Sequence, residues 1–387
     1  MKKKLFFLIH SMNVGGVEKA LLGLLSIIPF DQYDVHIGLI HKKGGFLPFL
    51  PKEVIVHEIK TYQNYWRLIN DPPLGYIKEF LRKGQLKEAF VHLLLYIQFK
   101  ITGNRYWFYK YILRHEPVWN ENYDLAVSFA GPSQMMDYYI CEKVKAKKKC
   151  GWIHFDVSKF GIDKGMTAKL YKKYDKIFIV SETGKEIFNR MYPQFAHKTE
   201  VFHNVVSSEQ VISMANDGPT FEDGYEGKRI LTVGRISEEK GQRVAIEALN
   251  ILISKGYQLK WYFVGDGKDK SFCEKIAKEY GISDHVVFLG TQTNPYGYIK
   301  DCDIYMQPSR HEGYCITLAE ALCFGNPIVA TDFTGAHEQL KYRDNSIVTG
   351  MSAEEIAHAL SKAFHLQKYS IGNHKENTDI EKLLSII

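Results

Sequence analysis

Residues 308–320 read Pro308-Ser309-Arg310-His311-Glu312-Gly313-Tyr314-Cys315-Ile316-Thr317-Leu318-Ala319-Glu320. A short apolar run, 304–306, precedes this stretch, and helical spacing continues to Phe324. Strand, loop and helix in that order form the repeating unit of a parallel sheet. In open sheets of this kind, ligands bind beyond the carboxyl ends of the strands. Glu312 and Glu320 stand eight positions apart. The first lies on the loop and the second about two turns into the helix. Gly313 would let backbone approach a ligand closely. The amides from Tyr314 to Thr317 would point at an anion at the helix start. The two carboxylates could therefore grip hydroxyls on either side of a bound diphosphate. Two ordinary surface glutamates would show the same spacing.

The same unit recurs on both sides. A strand at 229–233 ends in Gly234-Arg235, and Lys240-Gly241 opens a helix at 242–254. A guanidinium and an ammonium at a helix start suit a diphosphate, although a solvated helix entrance would look alike. Further strands are expected at 259–264, 286–289 and 327–330, and a helix at 270–280. Upstream, an apolar run at 5–9 leads into Asn13-Val14-Gly15-Gly16 and a helix at 17–28. Strand-like runs follow at 35–40, 54–59, 125–129, 151–154, 177–180 and 200–202. The expected fold is α/β, with two doubly wound, Rossmann-like domains. Polar residues between Ser207 and Gly227 predict a linker. The domains then divide as 1–206 and 227–366, joined by 207–226, with 367–387 crossing back to the first.

The chain has 387 residues, more than one core normally fills. It is 45% hydrophobic and 24% charged, which excludes a disordered chain. The net charge of +6 suits an anionic ligand or an anionic membrane surface. It is too small to argue for nucleic acid, and no such partner is expected. Six cysteines form no Cys-x-x-Cys pair and match no zinc spacing. Reduced thiols in a cytoplasmic protein are expected. The start, Met1 to His10, imitates a signal peptide, but Glu18 and Lys19 follow soon and no small-residue cleavage site appears. A first strand is expected there. No run reaches the ~18 to 20 apolar residues of a membrane span.

Segment 62–115 breaks the alternation. Trp66, Tyr76, Phe80, Tyr96 and Trp107 interleave with Arg67, Arg82, Lys83, Lys87 and Lys100. It reads as helical and amphipathic, a surface that would lie against the anionic inner face of a membrane and present an acceptor there. The plainer alternative is a helical insertion with solvated cations.

Glu312, seven residues, Glu320 resembles the signature of the large retaining GT-B glycosyltransferase family 4. Gly234-Arg235, Lys240-Gly241, Val264-Gly265-Asp266-Gly267, Phe288-Leu289-Gly290 and Pro308-Ser309 stand in that family's usual order, across about residues 228–350. Gly15-Gly16-Val17-Glu18 and Trp152-Ile153-His154 carry the resemblance in the first half. The resemblance implies a GT-B fold, in which two Rossmann-like domains face a central cleft. It implies retaining transfer of a hexose-type sugar from a nucleoside-diphosphate sugar, UDP favoured, to a saccharide acceptor. Lipid-linked acceptors and surface polysaccharide such as capsule fit by family association. The donor-binding residues would be Gly15, Gly16, Gly234, Arg235, Lys240, Gly265, Gly313, Tyr314, Cys315, Ile316, Thr317 and Glu320. Arg235 and Lys240 would stabilise the leaving diphosphate, and Glu320 would bond the ribose. Glu312 would hold hydroxyls of the moving sugar, and His154 would face that sugar across the cleft. The implied catalytic set is Glu312, Arg235, Lys240 and His154.

No cofactor and no metal are expected, because two fixed cations already face the leaving group. Asp301-Cys302-Asp303 spells the metal motif of another glycosyltransferase fold, but it leads directly into a strand. Gly265-Asp266-Gly267 lacks the third glycine of a nicotinamide fingerprint. Two departures from the family stand out. Tyr314-Cys315 replaces Phe or a small residue followed by Gly, which puts Cys315 in the phosphate-facing turn, where a helix N-terminus would lower its pKa. Thr334-Gly335-Ala336-His337-Glu338 replaces Gly-Gly-x-Pro-Glu, so donor choice cannot be copied. A sugar-nucleotide epimerase and a non-catalytic nucleotide-sugar or glycan binder are the competing readings. The joint presence of Arg235, Lys240, Glu312 and Glu320 argues against the binder.

Overall fold

The computed structural model describes residues 2–119, 121–159, 162–368 and 380–387. Strands β1 (Lys3–Ile9), β2 (Tyr33–Leu39), β3 (Ile55–Glu58), β4 (Asn122–Gly131), β5 (Lys145–Ile153), β6 (Lys176–Ile179) and β7 (Thr199–Val201) form the first sheet. Its order is β3-β2-β1-β4-β5-β6-β7, and every pairing is parallel. Strands β8 (Lys228–Val233), β9 (Leu259–Val264), β10 (Val286–Gly290), β11 (Ile304–Gln307), β12 (Ile328–Thr331) and β13 (Ser346–Thr349) form the second. Its order is β10-β9-β8-β11-β12-β13, again parallel throughout. Each sheet therefore reverses its strand order beside its first strand. The crevices beyond β1/β4 and β8/β11 are the topological switch points.

The strands are buried from both faces, as parallel sheets require. Leu5 to Ile9 are almost wholly inaccessible. Helix Gly16–Ile27 lays Ala20, Leu21, Leu24 and Leu25 on this sheet. Helix Gln242–Ser254 does the same for the second sheet through Ala245, Ile246, Leu249 and Leu252. The resulting α/β architecture is two Rossmann-like sheets with helices on both faces.

The polar stretch 207–226 differs from the linker its composition suggests. Helix Ser208–Asp217 occupies its first half, with the Ser207 side chain capping its start. Val211 and Ala215 join the core beside β8 and β11. The Asn, Asp, Gly and Pro residues that read as linker form the end of that helix and the turn after it. Segment 62–115 holds four helices, Tyr62–Asn70, Pro73–Arg82, Leu86–Thr102 and Tyr106–Ile112. At the far end, helix Ile380–Leu384 lies against the first sheet. Leu383 is buried in that core, and Lys382 Nζ donates to the Val201 carbonyl at 3.1 Å. Residues 369–379 of the expected crossing segment lie outside the described residues.

Candidate active site

The two switch points face each other, and a cavity of about 320 Å³ lies between them. The loop after β1 brings Gly15 and Gly16 to its wall. The loop after β8 brings Gly234, Arg235 and Lys240. Gly265 follows β9, and Glu312, Tyr314, Cys315, Ile316 and Thr317 follow β11. Gly265 has φ +142 and sits against the Gly234 carbonyl, so only glycine fits both the backbone and the space.

The centre of the wall is an ion pair. Lys240 Nζ lies 2.5 Å from Glu312 Oε1, which also accepts a bond from Ser309 Oγ at 2.7 Å. Behind it, Gln307 Nε2 donates to Ser309 Oγ at 2.8 Å, and Tyr305 Oη and Thr317 Oγ1 donate to Gln307 Oε1. Tyr305, Gln307 and Ser309 are buried, and the whole set is mutually satisfied, which fixes its geometry. Burial alone would depress the Lys240 ammonium, but Glu312 and then Cys315 outweigh it and hold its pKa above the ordinary value. Arg235 is exposed at the rim. It faces Glu18, a carboxyl raised by burial and only partly relieved by its own backbone amide and Arg235.

Two expected residues, His154 and Gly313, do not line this cavity, and two others, Glu320 and Cys315, have surroundings the sequence did not show. The His154 ring is buried between Phe129, with centroids 4.7 Å apart, and Trp152 at 6.0 Å. Burial drives its pKa down to about 3, so it is neutral at any working pH. It does not line the cavity; an aromatic setting holds the ring inward. Gly313 brings its backbone close to the other half of the molecule rather than to an open ligand position. A side chain there would strike the His154 carbonyl, and the Gly313 carbonyl accepts from Ser181 Oγ at 3.0 Å. Glu320 lies in an adjoining cavity of about 220 Å³, with Lys19 and Tyr296. The fourth is Cys315, which shares the cavity wall but is only 2% exposed. Its amide donates to Gln339 Oε1 at 3.3 Å and its carbonyl accepts from Gln339 Nε2 at 3.0 Å. Burial, then Glu312, pushes the thiol up to about 12, which overturns the lowered pKa expected for a helix start. Cys315 should therefore resist alkylation at pH 8 in native protein, with or without nucleotide, and label only on unfolding. Mass spectrometry of native and denatured samples checks this, and rapid native labelling would contradict the burial.

Asp301 and Asp303 sit at the other, amino-terminal edge of the second sheet. Asp303 bonds Lys228 Nζ and the Arg229 amide, both at 2.8 Å, and Asp301 accepts from Thr220 Oγ1. Among the described residues, one cluster has metal-ligand composition, His36, His57 and Glu121. His36 Nδ1 and His57 Nε2 are 2.8 Å apart, with rings 13° from coplanar and centroids 5.1 Å apart. Those values describe an in-line hydrogen bond, with the ring nitrogens aimed at each other rather than at a shared ion.

The halves are joined across the cleft by further polar contacts. Thr334 Oγ1 donates to Asp156 Oδ2 at 2.8 Å. Glu338 pairs with His203 at 2.7 Å and accepts from the Glu182 amide at 3.0 Å. Lys19 Nζ is 2.5 Å from Glu320 Oε1. Sequence reasoning missed Lys19, Tyr296 and Gln339, because each acts on a partner far away in the chain, and Gln307, because it reads as part of a buried strand.

Residues 222–378 match the family described as glycosyl transferases group 1. The second half of the chain thus carries the group 1 glycosyltransferase domain. Protein CapJ of Staphylococcus aureus is 28% identical over 202 residues, 51% of this chain and 49% of CapJ. An uncharacterised glycosyltransferase of Methanocaldococcus jannaschii aligns over 44% of this chain and 43% of its own length, so the chain spans half or less of these two relatives. A longer alignment, 25% identical over 87% of this chain, reaches 83% of a Campylobacter jejuni protein. That relative is named N-acetylgalactosamine-N,N'-diacetylbacillosaminyl-diphospho-undecaprenol 4-alpha-N-acetylgalactosaminyltransferase. Among solved structures, Anabaena Alr3699/HepE in complex with UDP and glucose superposes with a TM-score of 0.64. The superposition covers 94% of this chain and 90% of that one, at 18% identity. At that identity the likeness speaks for the fold, and the chain has the GT-B architecture.

Proposed function

We propose that this chain is a retaining glycosyltransferase that moves a hexose-type sugar from a nucleoside-diphosphate sugar to a saccharide acceptor in polysaccharide synthesis. The observation that carries the reading is the convergence of Arg235, Lys240 and Glu312 with Gly15 and Gly16 on one cavity between two switch points. The donor diphosphate would lie between the Gly15-Gly16 backbone and the Arg235 and Lys240 cations. When the bond from the anomeric carbon to the phosphate oxygen breaks, its electron pair stays on the diphosphate. Cations already fixed there favour that charge without reorganising. The acceptor hydroxyl attacks the same face of the sugar, and its proton passes to the departing phosphate oxygen. Glu312, anchored by Lys240 and Ser309, would hold the sugar's hydroxyls. His154, neutral and turned inward, contributes through its backbone position.

UDP is the nucleotide proposed first, because HepE was solved with UDP in the same fold. A lipid-linked acceptor is supported by the diphospho-undecaprenol name of the Campylobacter relative, and by an apolar surface on the first half. On helix Leu86–Thr102, Leu86, Phe90, Leu93, Leu94, Ile97 and Ile101 are all exposed. They repeat at helical spacing, with the buried His92 on the far side and Ala89 at the flank. Trp66 and Trp107 are exposed on neighbouring helices. No helix among the described residues is long and apolar enough to cross a membrane. The stripe instead suits a helix lying in the plane of a lipid surface.

A thermal-shift screen of nucleotide sugars tests the reading. A bound donor at 100-fold above its Kd stabilises the fold by about 2.7 kcal/mol. Incubation with a stabilising donor and a saccharide acceptor should then release nucleoside diphosphate with transfer. No stabilisation by any nucleotide sugar would remove the proposal. Turnover should persist in excess chelator, and Asp301→Asn should leave kcat within about twofold, since surface substitutions away from a site cost little. Loss of activity in EDTA, restored by manganese, would overturn the metal-free reading.

A further inference from the structure

Glu320 is 1% exposed and comes from the second half of the molecule. Its Oε1 receives Tyr296 Oη at 2.7 Å and Lys19 Nζ at 2.5 Å. The Lys19 ammonium also lies over the Tyr296 ring, 4.6 Å from its centroid. Glu320 Oε2 is buried with no hydrogen-bond partner. A buried carboxylate oxygen left this way is costly, so its setting favours an incoming hydroxyl donor. Lys19 comes from the first half, one turn beyond Gly15; its amide donates to the Gly15 carbonyl. One short helix start therefore places two glycines at the diphosphate cavity and a cation on the carboxylate of the adjoining cavity. Lys19 lines both.

We propose that Lys19 is a positioning residue for nucleoside recognition. It neutralises and orients Glu320 so that Oε2 accepts from a ribose hydroxyl, and it couples that contact to approach of the Gly15-Gly16 loop. This rests on the nucleotide-sugar reading above. The logic is geometric. The pair spans the cleft, so it exists only when the halves meet. Its two donors occupy one oxygen and leave the other for the ligand. A site built to bond a hydroxyl rejects an analogue that lacks it, because its buried acceptor is then left unpaired.

The test measures binding of UDP, GDP and ADP, and of their 2′-deoxy and 3′-deoxy forms, by calorimetry, to the full chain and to Lys19→Met, Lys19→Arg, Glu320→Gln and Lys19→Met/Glu320→Gln. Melting temperatures report whether each variant folds. The wild type should prefer one ribonucleoside diphosphate over at least one deoxy form by about 10-fold or more. Lys19→Met should weaken the ribo form by about 10-fold and shrink that preference, while Lys19→Arg should retain most of it. In the Glu320→Gln background, Lys19→Met should add almost nothing, as expected for two residues acting as one unit. If Lys19→Met weakens ribo and deoxy forms equally, or adds fully to Glu320→Gln, Lys19 is only a nearby charge and the inference falls. The nucleotide-sugar reading would survive that result. If the wild type binds none of these diphosphates, that reading fails and takes the inference with it.

Discussion

Lys240→Ala should lower kcat by about 10²-fold or more, the usual cost of removing one preorganised electrostatic stabiliser. Arg235→Ala should cost a similar factor, but the two variants should differ in stability. Arg235 is exposed at the rim and relieves only a small part of the burial of Glu18. Lys240 holds Glu312, whose side chain is 11% exposed. Without the ammonium, Glu312 keeps only Ser309 and becomes a nearly buried, uncompensated charge. Melting temperature should therefore fall in Lys240→Ala and stay unchanged in Arg235→Ala. Lys240→Ala/Glu312→Gln should recover much of the lost stability and none of the lost turnover. Near-wild-type kcat in both single variants would remove these residues from the chemistry. Equal melting temperatures would contradict the buried pair.

Replacing Phe90, Leu94, Ile97 and Ile101 by Ser should nearly abolish binding to lipid vesicles. These side chains are 61%, 49%, 44% and 79% exposed. Each loses roughly 1 kcal/mol of apolar transfer, taken as about half of a full burial. Together that is about 10³-fold in partition. Fold stability should not change, since the stripe faces away from the core. The cations of the same region matter less than composition suggests. Arg67 bonds Glu79 at 2.8 Å, and Lys83 bonds Glu79 at 2.7 Å. Those two partners hold the Glu79 carboxyl at about 2, Lys83 first. Arg82, Lys83 and Lys87 changed together to Gln should lose less than the ~3 kcal/mol that three free cations would contribute at an anionic surface. Sedimentation with anionic and neutral vesicles separates the terms. If the serine variant binds both as wild type does, the stripe serves some other contact and the lipid proposal loses its support.

The fold was legible where burial is two-sided. Leu5 to Ile9 and Leu259 to Val264 show as apolar runs because helices cover both faces of those strands. The amino half of β5 did not show. Lys145, Lys147, Lys148 and Lys149 carry it, and Lys147 and Lys148 pair with Asp124 and Asp175, so no hydrophobic period marks it. Strand β13 is half-buried along its length at a sheet edge, and its four residues fell below any pattern. Helix Ser208–Asp217 was hidden by its own polar outer face. At the site, loop residues near glycine turns were legible, because backbone chemistry at strand ends is local. Directions of side chains were not. Whether His154 looks outward depends on Phe129 and Trp152, and the reactivity of Cys315 depends on Gln339 and the packing around it. Lys19 belongs with Glu320, three hundred positions away, and no periodicity connects them.

The main chain enters the second half before helix Ser208–Asp217, and helix Ile380–Leu384 is docked back on the first sheet. The halves are thus held together both by the continuous chain and by a docked terminal helix, as a strap with a buckle holds better than a strap alone. Opening the cleft would separate Lys19 from Glu320 and Ser181 from Gly313. A single backbone cut near Gly224 should leave the two pieces together on a sizing column under native conditions. The returning helix, held by Leu383 and Lys382, would keep them paired, and each reclosure would bring the same loops face to face.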